Sequence, residues 1–464
     1  MGYTITEREL AARFRGGMTE GVIPGLDVTL TGERFRSSVN CSFPDGKNVS
    51  EMFRFLFRSR EAEEYNREFT YYIIKPTGGV IGHSMGAVHP SEATRSASCV
   101  NSSPSLVNSS PSATNRIPSG VNSSPSDTNR IPSGVTPGNT AVTHRNVRGT
   151  GEQSDAPGSG CNRGAIILLH GLNERSWNKY IQWGAALASG TGRPVVLFPH
   201  AWHMNRSPRS WIDRHLMMPL VAARTSLQPD TRLSTFVNVA LSTRMNISPQ
   251  RFMLSGYQTV KDLSEFIGLV REGNVPGIAA GGPVDLFAYS IGALAAQVMM
   301  LSGPSPLPAD SRVMLFCGGS AFSMMNGTSK LIMDSRAFEM LLAFYLGWPA
   351  GGGSRDRDRF AGLMNDTPEG EAFYAMTSLQ RLKALRGRPF SKWEGRLKAV
   401  SLAGDQVIPP DAVREALSGA DHQIWDTEYP CSHESPFPVL AGEKADKVDR
   451  TFDRLFTTAA GFLS

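Results

Sequence analysis

From residue 163 onward, short apolar runs alternate with stretches that have helical periodicity. The apolar runs are rich in β-branched residues and end in Gly, His, Asp or Ser; they are AIILLH, PVVLFPH, VDLFAYS, RVMLFCGG and LKAVSLAGD. The helical stretches between them include KYIQWGAALAS, TVKDLSEFIGLVREG and GALAAQVMMLSG. Buried strands that are joined by crossover helices form a mostly parallel sheet. The pattern therefore predicts an α/β domain over residues 161–464, with its ligand site at the carboxyl ends of the strands.

Residues 1–93 have a weaker pattern of the same kind. It predicts a short helix for ITERELAARF, a charged helical stretch for SEMFRFLFRSREAEEYNREF and a strand for TYYIIKP. These elements contain too few apolar positions to form a substantial core of their own. We expect this segment to pack on the larger domain and to contribute its first strands.

Residues 94–160 differ from both flanking parts because Ser, Asn, Pro, Thr and Gly dominate them. They include a tandem repeat, VNSSPSATNRIPSG at residues 107–120 followed by VNSSPSDTNRIPSG at residues 121–134. A segment with so few apolar residues cannot bury enough surface to offset the entropy lost on ordering. We predict a disordered low-complexity insertion that serves as a flexible loop, with a surface tether or a modification target as the alternative.

Composition narrows the classes of partner. The formal net charge is +5 and the basic residues are scattered, which gives nucleic-acid binding little support. Five cysteines without a CxxC pair argue against a disulfide framework and a zinc site, and they fit a reducing compartment. The sequence has no apolar run long enough to span a bilayer and no signal-peptide pattern at its N-terminus. We expect a cytoplasmic protein whose partner is a small molecule.

The strongest chemical signal is PVDLFAYSIGALAAQVMM, in which a predicted strand runs directly into Ser290 and then into a predicted helix. A nucleophile on so tight a turn needs small residues two positions to either side, because the turn brings the strand and helix backbones close together. Gly292 occupies one position, and Ala288 occupies the other, where the pattern usually has glycine. The motif predicts Ser290 as a nucleophile; the alternative is an ordinary buried turn with an incidental serine.

A competing match to the same pattern is GHSMG, residues 82–86, with Ser84 at its centre. Only the dipeptide VI precedes it as a candidate strand, and Pro90 blocks a helix after it. A strained turn persists only where a rigid strand and helix hold it. We therefore predict that Ser290, rather than Ser84, is the nucleophile.

Two later segments supply an acid and a base. LKAVSLAGDQVIPPDAV puts Asp405 directly after a predicted strand, and YPCSHESPFP puts His433 in a loop between the last predicted strand, HQIWDTEY, and the terminal helix. Asp411 suits the first turn of a helix, where a carboxylate is favourable. The weaker alternatives are Asp421 and Asp426 for the acid and His422 for the base. We predict Asp405 and His433.

Together the segments around Ser290, Asp405 and His433 resemble the α/β-hydrolase superfamily, over about residues 71–464 outside the repeat segment. The segments LLHGLNERSWNKY, FPHAWHMNRSPRSW, RFMLSGYQTVKDL and YPCSHESPFP are also similar to an uncharacterised set of bacterial proteins within that superfamily. The resemblance implies the α/β-hydrolase fold and a serine hydrolase whose triad follows the order serine, acid, histidine. Such an enzyme needs no cofactor. Its substrate is expected to be an ester or a thioester, with a peptide or amide next.

The resemblance also implies an oxyanion hole, since AIILLHGLNERSW ends a strand in an HG turn. The predicted donors are the backbone N–H groups of Leu172 and of Ile291, the residue after the nucleophile. FPHAWHMNRSPRSW supplies either a polar rim that can bind a substrate carboxylate or phosphate through arginine, or a structural polar network. The predicted substrate-binding residues are His170, Asn173, His203 and Arg206. We expect no catalytic role for His170, which lies far upstream of the serine, and no metal site, because the histidines lack a third ligand at recognisable spacing.

Apolar helical patterns also fall between the strand RVMLFCGG and the strand that leads to Asp405, at about residues 320–398. We expect them to form a helical cap that excludes water and shapes an apolar pocket. Two other functions stay open. The fold can serve as a non-catalytic binding module, or the repeat segment can be the active part of an interaction protein.

Overall fold

The computed structural model describes residues 2–3, 20–23, 25–39, 41, 51–57, 60–77, 164–347, 360, 362–385 and 389–464. The strands are β1 (Gly21–Ile23), β2 (Val28–Arg36), β3 (Glu68–Pro76), β4 (Ala165–Leu169), β5 (Val195–Phe198), β6 (Val284–Tyr289), β7 (Val313–Phe316), β8 (Leu397–Leu402) and β9 (Asp421–Trp425). Within the described residues these nine strands form one sheet, in the order β1-β2-β3-β5-β4-β6-β7-β8-β9. The predicted first helix, Ser84 and the repeat segment lie outside the described residues.

The sheet is parallel from β5 to β9 and antiparallel at its other edge. Strands β5, β4, β6, β7, β8 and β9 are parallel neighbours. Strand β3 runs antiparallel to β5, with Tyr72 opposite Leu197, and β1 and β2 extend this edge in antiparallel pairs. Such a sheet, with helices between its parallel strands, is the α/β-hydrolase fold. The predicted fold class is confirmed.

Helices connect the strands. The α-helices of the described residues include α1 (Arg60–Arg67), α2 (Asn178–Thr191), α3 (Arg214–Leu227), α4 (Val239–Ile247), α5 (Gln250–Glu272), α6 (Ile291–Leu301), α7 (Ser335–Leu346), α8 (Pro368–Met376), α9 (Leu379–Ala384), α10 (Pro410–Ala416) and α11 (Glu443–Leu463). Short 3₁₀ segments lie at Glu51–Leu56, Met204–Arg206, Arg209–Ile212, Phe322–Met324 and Ser391–Trp393. No described helix combines the length and the apolar character that a membrane span requires.

Each face of the sheet has its own apolar core, because alternate residues of a strand point to opposite faces. On one face Ile167 and Val196 belong to a cluster with buried side chains of α5 and α6. On the other face Ile166 and Val195 belong to a cluster with side chains of α2 and α11. Since helices cover both faces, a ligand site is expected at the ends of the strands rather than on a face.

The residues between β7 and β8, where a cap is predicted, include helices α7, α8 and α9. Helix α7 packs on α4. Its first turn is tied to α3 by a buried ion pair, in which the Nε of Arg224 lies 2.5 Å from a carboxylate oxygen of Asp334. The same carboxylate accepts the backbone N–H of Ala337 and so caps the helix. These contacts fix α7 beside the carboxyl ends of the strands.

A second buried ion pair joins the strands to the C-terminal helix. Arg193, just before β5, pairs with Asp285 of β6, and both side chains are almost fully buried. The guanidinium also donates to the backbone carbonyls of Leu463 at 2.6 Å, Ala165 at 2.9 Å and Pro283 at 2.9 Å. One side chain therefore links β4, β5, β6 and the end of α11.

We expect Arg193→Met to lower the free energy of unfolding by roughly 3–5 kcal/mol, because it leaves the Asp285 carboxylate buried without its partner. Urea unfolding followed by tryptophan fluorescence measures this change. The double variant Arg193→Met/Asp285→Asn removes both charges and should recover part of the loss. The matched control is Arg34→Met at the exposed Arg34–Glu68 pair, where the loss should stay below about 1 kcal/mol. Equal losses at the two sites would contradict the assignment.

Candidate active site

Ser290 lies on the turn between β6 and α6 with φ 57° and ψ −120°. Residues other than glycine rarely adopt a positive φ, and such strain persists only where the surroundings enforce it. The turn is held on both sides: the N–H of Ser290 donates to the carbonyl of Phe316 on β7 at 3.1 Å, and its carbonyl accepts the N–H of Ala293 at 3.0 Å. This is the strand–turn–helix context in which a nucleophile elbow is found.

Small residues surround the turn for steric reasons. A Cβ atom at Gly292 would lie 2.8 Å from both the carbonyl oxygen and the Cβ of Leu169. A Cβ atom at Gly318 would lie 2.9 Å from the carbonyl oxygen of Ser290. Ala288 is fully buried in β6, opposite Leu169 of the neighbouring strand. The backbones of β4 and α6 therefore approach too closely for a larger residue at position 292.

Ser290, His433 and Asp405 form a continuous chain of hydrogen bonds. The Oγ of Ser290 lies 2.6 Å from the Nε2 of His433, and the Nδ1 of His433 lies 2.7 Å from the Oδ2 of Asp405. All three residues are buried. When the carboxylate accepts the Nδ1 proton, Nε2 is left as an acceptor toward the serine hydroxyl. The structure thus brings together the three residues predicted from sequence order.

Further contacts fix the acid and the histidine. The other carboxylate oxygen of Asp405 accepts the backbone N–H groups of Val407 and Ile408, each at 2.9 Å. The hydroxyl of Tyr289, the residue before the serine, donates to the backbone carbonyl of His433. Asp405 therefore fixes the imidazole ring of His433, and Tyr289 fixes its backbone.

The alternative acid Asp421, the helix residue Asp411 and the alternative base His422 have partners elsewhere. His422 lies 2.9 Å from the hydroxyl of Ser401, across the β8–β9 pair. Asp421 pairs with Lys398, and Asp411 pairs at 2.7 Å with the arginine three residues later on its own helix. Within the described residues, none of these three side chains has a recorded contact with the candidate nucleophile.

Leu172 and Ile291, the predicted oxyanion donors, both line a cavity that also contains Ser290. No acceptor in the described part of the chain engages the backbone N–H of either residue. The neighbouring N–H of Gly171 is already used, since it donates to the hydroxyl of Tyr180 at 3.0 Å. Two free donors beside a serine are the arrangement that a tetrahedral oxyanion needs.

This serine cavity has a volume of about 30 Å³, and its walls are apolar. Phe252, Met333, Phe338 and Val407 contribute to them. Phe338 belongs to α7 and Met333 precedes it, so the region between β7 and β8 forms part of the wall beside Ser290.

A second cavity, of about 60 Å³, shares Leu172, Phe252 and Ile291 with the serine cavity. Its polar lining includes Arg244 and Arg251, which no sequence motif singled out. We call it the arginine cavity. One feature of the sequence could have identified Arg244: it is an arginine among apolar positions of a helix. Leu241 and Met245 are buried on the same face of α4 as Arg244.

Three histidines pack together next to the arginine cavity. The ring centroids of His170 and His200 are 4.3 Å apart, and those of His170 and His203 are 5.5 Å apart. Burial lowers the pKa of His200 to about 3 and that of His203 to about 4, and it holds the pKa of His170 well below its usual range. The three rings are therefore neutral near pH 7. The described residues contain no group of His, Cys, Asp or Glu side chains arranged to hold a metal ion.

Of the predicted substrate-binding residues, His203 lines the arginine cavity and the other three are held by protein atoms. The ring nitrogens of His170 contact the carbonyl of Gly171 and the N–H of His200. The amide of Asn173 donates to the backbone carbonyls of Val237 at 3.2 Å and Leu331 at 2.6 Å, joining two loops. His170 and Asn173 thus serve to hold the loops, which corrects the prediction for both.

The prediction for Arg206 is also wrong. Its side chain is fully buried, and one NH2 group lies 2.7 Å from the carboxylate of Asp262. The guanidinium also donates to the carbonyls of Asn66 at 2.8 Å and Pro199 at 3.1 Å. An arginine with these partners is a structural link and has no face toward a substrate.

A model described as "Family of unknown function (DUF6051)" matches residues 155–464. Among solved structures, the monoacylglycerol lipase of Paleococcus ferrophilus is 15% identical over 64% of this chain and 95% of that chain, with a TM-score of 0.31. A fungal esterase of Rhizomucor miehei is 9% identical over 99% of this chain and 92% of that chain, with a TM-score of 0.37. A thermostable carboxyl esterase of Bacillus coagulans is 13% identical over 65% of this chain and 91% of that chain, with a TM-score of 0.32. No curated protein matches.

We expect the free energy of unfolding to fall as the pH is lowered below about 6.5, because the histidines take up protons in the unfolded chain before they do so in the folded one. Each buried histidine contributes about 1.4 kcal/mol per pH unit in the range between its two pKa values. His203→Asn keeps a donor for the carbonyl of Ala201, which the histidine Nδ1 contacts at 2.9 Å. The variant should reduce the slope of the free energy of unfolding against pH by the contribution of about one proton taken up on unfolding. Urea unfolding between pH 7 and pH 4.5 measures the slope. His215→Gln, at an exposed histidine, is the matched control; a slope unchanged by His203→Asn would refute the assignment.

Proposed function

The chain belongs to this family of unknown function (DUF6051), and from the geometry of its site we propose that it is a serine hydrolase. Its substrate is an ester or a thioester, with an amide as the next candidate. The main observation in support of the proposal is the buried hydrogen-bond chain from Ser290 through His433 to Asp405. A serine needs an adjacent base, and the base needs a third group that orients it, for the hydroxyl to act as a nucleophile.

In the first half of the reaction His433 takes the proton from the Oγ of Ser290 as the oxygen attacks the acyl carbonyl carbon. The N–H groups of Leu172 and Ile291 stabilise the negative oxygen of the tetrahedral intermediate. The intermediate then collapses, the bond to the alcohol or thiol breaks, and His433 donates its proton to that leaving group. The acyl group remains as an ester on Ser290.

In the second half a water molecule takes the place of the leaving group. His433 accepts a proton from the water as the water oxygen attacks the acyl-enzyme carbonyl. Collapse of the second intermediate releases the carboxylic acid and returns the proton to Ser290. Asp405 stabilises the positive imidazole in both halves; its bonds to Val407 and Ile408 support this role because they hold the carboxylate in one orientation.

We further propose that the region of α7 to α9 acts as a cap that limits the size of the group bound next to Ser290. The apolar walls of the serine cavity and its volume of about 30 Å³ support a short acyl or alcohol group. Phe338 is the large side chain that α7 contributes to this wall.

Labelling with a fluorophosphonate probe tests the nucleophile directly. We expect wild type to react, Ser290→Ala to lose labelling, and His433→Ala to react roughly 10³-fold more slowly, because the serine loses its base. Ser84→Ala is the matched control and should label like wild type. Circular dichroism of each variant shows whether it is folded. Loss of labelling in Ser84→Ala alone would identify the other serine, and a folded wild type that does not react would favour the non-catalytic binding role.

The cap proposal predicts a preference for short chains. The kcat/KM for p-nitrophenyl esters should fall from butyrate to decanoate, and Phe338→Ala should move the optimum to longer chains because it enlarges the serine cavity. Leu346→Ala is the matched control, since Leu346 is an exposed residue of the same helix. An unchanged chain-length profile in Phe338→Ala would count against the cap.

A further inference from the structure

The arginine cavity adjoins the proposed catalytic centre. Leu172 and Ile291, the proposed oxyanion donors, and Phe252 form walls of both cavities. A molecule whose reacting carbonyl lies beside Ser290 therefore has the arginine cavity within reach of its next few atoms. The chemistry of this second cavity bears on which substrates the enzyme accepts.

Arg244 of α4 lines the arginine cavity and is only 4% exposed. Its guanidinium carbon lies 4.1 Å from the ring centroid of Trp211 and 5.1 Å from that of Trp202. Aromatic rings attract the positive charge of a guanidinium but do not act as a counter-ion, so these contacts leave its N–H donors available for an anion. The buried Nε has no hydrogen-bond partner, and no ion pair to Arg244 occurs within the described residues.

Arg251, near the start of α5, lines the same cavity and is 8% exposed. Its guanidinium carbon lies 5.1 Å from the ring centroid of Phe57. The positive charge of Arg251 adds to the effect of burial and holds the pKa of Arg244 well below its usual range. Two cations thus face one small cavity without a described carboxylate to offset the charge of Arg244.

Three other buried arginines of the described chain differ from Arg244 in their environment. Each of them pairs with a buried aspartate; the pairs are Arg193–Asp285, Arg206–Asp262 and Arg224–Asp334. Burying a charge without a partner is strongly unfavourable, so proteins avoid it unless a ligand supplies the partner. The contrast singles out Arg244 as a cation whose counter-charge comes from outside the chain.

We propose that the arginine cavity binds an anionic group of the substrate, a carboxylate or a phosphate, through the guanidinium of Arg244. The guanidinium fork matches the paired oxygens of either group. This inference rests on the proposed hydrolase function and narrows it to esters or thioesters that have a negative charge close to the scissile bond.

Matched substrate pairs test the inference. To test for a charge on the acyl group, neutral p-nitrophenyl butyrate is compared with anionic mono-p-nitrophenyl succinate. To test for a charge on the alcohol group, neutral ethyl butyrate is compared with the anionic butyryl esters of 3-hydroxypropionate and of 2-hydroxyethyl phosphate. We expect kcat/KM for at least one anionic ester to exceed that of its neutral partner about tenfold or more, as one or two charged hydrogen bonds allow. The ester that gives the larger ratio distinguishes a carboxylate from a phosphate.

In Arg244→Met the ratio of anionic to neutral kcat/KM should fall about tenfold or more. Arg244→Lys, which keeps the charge and loses the fork, should lie between the two. The matched control is Arg214→Met, at an exposed arginine, and should keep the wild-type ratio. A ratio near one in wild type that Arg244→Met leaves unchanged would overturn the inference and leave the hydrolase function intact.

Stability separates a ligand-binding arginine from a structural one. Because Arg244→Met removes an uncompensated buried charge and keeps an apolar side chain next to the two tryptophans, its melting temperature should be equal to or higher than that of wild type. A structural arginine would behave in the opposite way, with lower stability and reduced activity on neutral and anionic esters alike. That outcome would also overturn the inference.

Binding without turnover separates the two proposals. In the Ser290→Ala protein, calorimetry with glutarate and with inorganic phosphate should detect binding of at least one anion, and Ser290→Ala/Arg244→Met should lose it. If this binding occurs but wild type cleaves no ester, the proposed hydrolase function fails and the anion site stands. If neither anion binds and wild type cleaves neutral esters, the anion site fails and the hydrolase function stands.

Discussion

The parallel pairing of β4 to β9 is the constraint on which the candidate site depends. Parallel strands end at one edge of the sheet, so residues that follow β6, β8 and β9 meet there although Ser290 and His433 are 143 positions apart. The pairing of β6 with β7 also supplies the carbonyl of Phe316 that holds the turn at Ser290. A shift of β6 by one residue would turn its side chains to the opposite faces and separate the hydroxyl from the imidazole.

The sequence was informative where local pattern and tertiary structure agree. Mostly apolar runs of four to six residues become β4 to β8, because strands that are buried on both faces are apolar over most of their length. The turn at Ser290 was predictable because its steric demands fall on residues only two positions away. Strand β2 was missed because Glu33 and Arg34 lie outside the core and interrupt its apolar pattern.

Charge pairing was not predictable in the same way. Arg206 lies in a segment dense in polar residues and was taken for a substrate ligand, yet its partner Asp262 is 56 positions away on α5. Arg244 lies in a helix without a motif and has aromatic neighbours instead of a carboxylate. An arginine is neutralised within the protein only if folding brings a carboxylate from another helix next to it. The sequence pattern does not show which helices meet. The predicted role, an arginine that binds a substrate anion, therefore fits Arg244 better than Arg206, although no sequence motif pointed to Arg244.

Strand β3 runs against its neighbours, and this has a consequence for the segment that follows it. Ile74, near the end of β3, is opposite Val195, the first residue of β5, so β3 ends at the amino edge of the parallel strands, and β4 begins at that edge as well. Thr77 and Gly164, the described residues that flank the segment with the tandem repeat, therefore both lie at the edge opposite to Ser290. A change in the number of residues between them would leave the spacing of the reacting groups unchanged, because those groups lie at the other edge.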